Sequence, residues 1–145
     1  MAVASLNEII QSYIMRRNAI NLDLTNYSSQ KTLSSGETTD LASWKNSRNS
    51  AIRAEYKNIF NTDYKNQEGH NYVDFTELPE YQDEIDYVES HYEARTEDLT
   101  AWEVQLDNQI TTVNVELNEI TSYIDSFKQM LSSNIKTDYN YGTSS

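Results

Sequence analysis

The stretch PEYQDEIDYVESHYEARTEDLTAWEVQLDNQITTVNVELNEITSYIDSFKQML, residues 79–131, decides the fold. Apolar or aromatic side chains recur at Tyr81, Ile85, Val88, Tyr92, Leu99, Trp102, Leu106, Ile110, Val113, Leu117, Ile120, Ile124, Phe127 and Leu131. The steps alternate between three and four, with Arg95 in the vacant seam position. Two consecutive fours around Leu106 read as a stutter. Apolar spacing sustained over so many heptads predicts a long helix with a coiled-coil seam. Pro79 suits its first turn, and Glu80, Asp83 and Glu84 favour the positive end of the helix dipole. Neither glycine nor proline interrupts the chain from Glu80 to Tyr141. The helix is expected over about 79–137, with a flexible tail at 138–145.

Working outward, Val3, Leu6, Ile10, Tyr13, Ile20, Leu24 and Tyr27 keep the same spacing, with Arg17 in the vacant place. Ser34-Ser35-Gly36-Glu37-Thr38-Thr39-Asp40 then reads as a stop and restart, since Thr39 or Asp40 can cap a new helix. Yet Leu41, Ile52 and Ile59 continue the earlier register across the gap, and one glycine costs a helix only about 1 kcal/mol. Helices over about 3–34 and 39–62 and a polar loop over 63–78 follow. The expected architecture is all-α, one domain: an elongated antiparallel helical hairpin or coiled coil, its first rod kinked or broken near Gly36. The alternative is a three-helix bundle whose third helix overhangs its partners.

Composition agrees with a narrow seam rather than a broad core. The apolar fraction is 37%, below the roughly 45–50% of ordinary globular domains. There is no cysteine, which removes disulfides and thiolate chemistry. The net charge of −12 is lopsided: residues 1–66 carry eight Lys/Arg against six Asp/Glu, and residues 67–145 carry three against seventeen. Such a surface repels phosphate backbones and anionic lipid, so neither nucleic acid nor membrane is an expected partner. A basic protein partner fits better. Asn7, Glu8, Gln11 and Ser12 interrupt any Sec-type signal core. No run reaches the roughly 18 apolar residues of a membrane span. The expected compartment is the cytoplasm, or the exterior by way of a dedicated secretion system.

Catalytic and metal patterns fail when tested. An EF-hand loop begun at Asp63 meets Lys65 and Gln67 at its third and fifth places, and Gly69 falls one place late. His-Glu-x-x-His is absent, and the Glu-x-x-His of di-iron bundles would need glutamate where Val88 stands before His91. No Gly-x-Ser-x-Gly and no glycine-rich phosphate loop occurs. The expectation is a non-enzyme with no cofactor and no metal.

What remains are interaction features. Tyr56, Tyr64, Tyr72 and Phe75 cluster near the predicted loop, and aromatics with a polar handle favour interfaces. Asp86, Glu89, Glu93 and Glu97 share one helical face, a row that ordinarily belongs to solvent and otherwise suits a basic partner. Arg17, Arg95 and Glu103 are polar seam residues of the kind that set register, with Arg17 expected to meet Glu103 or another seam carboxylate.

Gln11-Ser12-Tyr13-Ile14-Met15-Arg16-Arg17, with Leu117-Asn118-Glu119-Ile120 through Asn134-Ile135-Lys136, resembles the terminal helices of a group of short helical bacterial proteins without an assigned activity. After Lys136 the chain departs from that pattern, with Thr137-Asp138-Tyr139 in place of a Ser/Thr-Phe-Lys element. In layout it is also similar to flagellar and type III secretion axial proteins. These resemblances imply a structural or assembly protein that pairs with itself or with another helical protein. An acidic adaptor or chaperone-like module for a basic or helical client is the alternative.

Overall fold

The computed structural model describes residues 2–64 and 72–143. Among them the fold is all-α, with two long helices and no strand. Helix α1 spans Val3–Ile59 and ends in a π-helical turn, Phe60–Tyr64. A 3-10 turn at Phe75–Glu77 precedes helix α2, Pro79–Thr143. The chain divides into a terminal unit, Met1–Lys31 with Gln105–Ser145, and a loop unit, Thr32–Val104.

In the terminal unit, α1 and α2 run antiparallel and close an apolar seam between them. Ile20, Val113, Ile120 and Ile124 form one buried cluster, with Tyr13, Ile14, Leu24, Tyr27 and Leu117 packed against it. Leu6, Ile10 and Leu106 are also buried. The Tyr13 ring lies 5.6 Å from Tyr123 and 5.7 Å from Phe127. Lys31 pairs with Asp107 at 2.6 Å, but both side chains are about half exposed, so the pair adds little stability. Arg17 occupies its expected seam position half-buried.

In the loop unit the two helices form a hairpin through the connecting segment. Ile52, Leu78, Val88 and Leu99 are buried, as is Ser34 at 0% exposure. Here α1 passes through Gly36 without a break, which removes both the separate helix at 39–62 and the three-helix bundle. Instead of capping a new helix, the Thr38 and Thr39 hydroxyls donate to the Ser34 and Ser35 carbonyls one turn earlier, at 3.0 and 3.2 Å. Nothing lies within 4 Å of the space that a Cβ at Gly36 would fill. Gly36 is therefore an exposed helical glycine whose cost the seam absorbs.

Two further expectations are corrected. Helix α2 continues to Thr143, so the main chain at 138–143 is helical rather than a tail. Arg95 is exposed, and half-buried Thr96 takes the seam position beside it. Consequently two steps of four fall at Val88–Tyr92–Thr96, in addition to those around Leu106, where Trp102, Leu106 and Ile110 are all buried or half-buried. An equivalent pair of steps sits in α1 at Leu41–Lys45–Asn49 and meets the one at Tyr92, with the Lys45 ammonium 4.3 Å from the centre of the Tyr92 ring. Inserting four residues shifts a seam around its helix. Because both helices make the same shift at the same level, Ile52 and Leu99 each return to the buried side.

Candidate interaction surfaces

The described part of the connecting segment before α2, residues 72–78, is held by aromatic packing. Phe75, buried, meets the Tyr81 ring edge-on at 5.3 Å, and Tyr81 meets Tyr56 at 5.8 Å. The Arg53 guanidinium lies 5.4 Å from the Phe75 ring. Glu77 accepts hydrogen bonds from the backbone N–H groups of Val73 and Asp74. The Gln82 amide reaches back to the Thr76 carbonyl at 3.1 Å. Two residues of the sequence-predicted aromatic tip, Tyr56 and Phe75, thus serve to fasten the segment to the hairpin. Tyr72 is half-buried, and the side chain of Tyr64 lies outside the described residues.

Burial raises the Tyr56 phenol above its ordinary range, helped by Glu84, whose carboxylate accepts a hydrogen bond from it, and by Glu55 and Glu80. Oxygen Oε2 of Glu84 and Oδ1 of Asn49 are buried without a hydrogen-bond partner. Both are seam-edge acceptors, which makes this part of the hairpin less well satisfied than its surroundings.

The acidic row is divided by the structure. Glu89 turns toward Lys45 and pairs with it at 2.6 Å. That hydrogen bond is the main cause of a Lys45 pKa above the ordinary lysine value, with Tyr92 and Glu93 adding to it against partial desolvation. Asp86, Glu93 and Glu97 are exposed. Glu103 accepts a 3.4 Å hydrogen bond from the Ser34 hydroxyl, so its seam partner is a serine.

A surface feature that the sequence reading missed involves Trp44, Tyr87 and His91. The Trp44 ring meets His91 edge-on at 4.9 Å, and Tyr87 stacks on His91 at 6.3 Å. All three are exposed, Tyr87 at 69%. Two shallow hollows adjoin the rings. One, of about 250 Å³, is lined by Glu37, Asp40, Leu41, Trp44, Arg95 and Leu99. The other, of about 330 Å³, is lined by Arg48, Ile52, Asp83, Glu84, Tyr87 and Val88. Each holds two carboxylates, two aliphatic residues, one aromatic and one arginine. The available signal was that Trp44 and Tyr87 fall off the seam register, where a large aromatic has no packing duty.

Among the described residues, no group of three or more His, Asp or Glu side chains is placed to hold a metal ion. No helix among them is long and apolar enough to cross a membrane. No family model, no curated protein and no solved structure matches this chain.

Proposed function

We propose that this chain is a non-enzymatic structural or assembly protein that works by coiled-coil-type helix pairing, with a second copy or with another helical protein. The observation carrying this reading is the pattern of exposed apolar residues on the terminal unit. Its seam is already closed within the chain, so any further pairing uses outward residues. Met15 and Leu22, seven residues apart on α1, are 71% and 62% exposed. Tyr123 and Met130, also seven apart, stand out along α2, with Ile135 beyond them. Seven-residue spacing puts each pair on one helical stripe, the arrangement that helix pairing uses. Light scattering on the purified chain over a wide concentration range tests self-pairing. A concentration-dependent oligomer that Leu22→Glu with Met130→Glu dissolves supports it, and a monomer throughout removes it.

The charge of the loop unit favours a second reading, an acidic adaptor for a basic or helical client. That unit holds sixteen Asp/Glu against six Lys/Arg, whereas the terminal unit holds seven against five. Salt-sensitive capture of a cationic helix is the expected behaviour.

A further inference from the structure

We infer that the loop-unit face bearing Trp44, His91 and Tyr87 is a docking site for a basic helical protein segment that places one Lys or Arg in each of the two adjoining hollows. This deepens the adaptor reading and rests on it. The first observation is the repeated composition of the hollows. Leu41 with Leu99 and Ile52 with Val88 supply apolar surface for the methylene stem of a long cationic side chain. Glu37 with Asp40 and Asp83 with Glu84 supply carboxylates for its head, outnumbering the one arginine in each hollow. Glu37, Asp40 and Asp83 have no ion pair among the described residues. Trp44 in the first hollow and Tyr87 in the second each offer a ring to the cation seated there.

The second observation is the spacing. Leu41 and Ile52 are eleven residues apart on α1, as are Val88 and Leu99 on α2. At a rise of about 1.5 Å per residue the hollows are roughly 16 Å apart along the hairpin. Eleven residues make about three helical turns, so two side chains eleven apart on a partner helix project from one face at the matching distance. The strong negative charge of the unit selects a basic partner over nucleic acid or anionic lipid. No two Lys or Arg residues of this chain are eleven apart, so a second copy does not fit the pattern.

The test uses the full chain carrying Trp102→Phe, which leaves Trp44 as the one tryptophan. The probes are two alanine- and glutamine-based helical peptides of equal composition. One has two arginines eleven residues apart, and the other has them nine apart, on opposite faces. The expected result is quenching of Trp44 fluorescence by the eleven-spaced peptide, with a Kd about five-fold or more below that of the nine-spaced one. Tyr87→Ala, at an exposed position, should raise that Kd about five-fold while far-UV circular dichroism stays unchanged. Equal binding of the two peptides, or indifference to Tyr87→Ala, overturns the site while leaving the adaptor reading standing. Absence of binding by either peptide at low salt overturns both.

Discussion

The terminal unit and the loop unit are built from the same two helices, yet they use the seam between them differently. In the terminal unit the seam is almost wholly apolar, from Leu6, Ile10 and Ile20 to Val113, Ile120 and Ile124. In the loop unit it admits Ser34, Lys45, Asn49, Thr96 and Glu103 among its apolar residues. Apolar burial is non-directional and stabilises in proportion to area, whereas buried polar groups stabilise only when each finds its partner. The terminal unit is therefore the source of adhesion, and the loop unit the source of alignment and surface chemistry.

That contrast can be broken most forcefully at Ile124, which is almost completely buried. Ile124→Ala should destabilise the protein by about 3 kcal/mol, read from urea denaturation followed by circular dichroism. A cost below about 1 kcal/mol would mean that the terminal seam is not the stabilising one. Asn49→Leu works in the opposite direction. It replaces a buried, unpartnered amide oxygen with apolar surface and should add about 1 kcal/mol. A loss would show that the amide is needed where it stands. Gly36→Ala should add slightly under 1 kcal/mol, because the added methyl meets nothing and α1 is already helical there. Destabilisation by this change would contradict a continuous α1.

The smallest expected effect sharpens the contrast by pH. Tyr56 and Lys45, both in the loop unit, have folded-state pKa values above their ordinary 10.0 and 10.5. A group raised on folding contributes stability that is fully present below the unfolded pKa and lost as pH rises through the folded one. The loop unit should hence loosen above about pH 10, detectable as faster hydrogen exchange in residues 32–59 and 79–104. Lys45→Met and Tyr56→Phe together should flatten that alkaline limb.

Much of this was legible from residue spacing. The α2 seam, its start at Pro79, and the terminal register from Val3 to Tyr27 all follow from apolar periodicity, since a large buried side chain leaves its period in the sequence. The misplaced seam and helix boundaries share one cause: polar residues doing seam or helix-interior work. Thr38 and Thr39 look like caps until their hydroxyls are seen to bond backward along α1. Thr96 is chemically silent beside Arg95, so spacing alone gives the seam place to the arginine. Lys45 gave no apolar mark at all, and its role emerges only once Tyr92 and Glu89 face it. Of the predicted tip, Tyr56 and Phe75 also pack against Tyr81, a contact that spacing does not display. The Trp44–His91–Tyr87 surface joins two helices more than forty residues apart in sequence, a juxtaposition that no single-helix pattern contains.

The facing stutters at Lys45 and Tyr92 also govern how a chain of this kind changes length. Removing one heptad from α1 alone would carry its offset seven residues away from the offset in α2, and every layer between them would fall out of phase. Removing one heptad from each helix on the same side of that level leaves the pair aligned. Insertions and deletions tolerated by relatives of this chain should therefore come in compensating sevens, one in each arm. A length comparison among such relatives would display the junction as the fixed point about which both arms grow or shrink together.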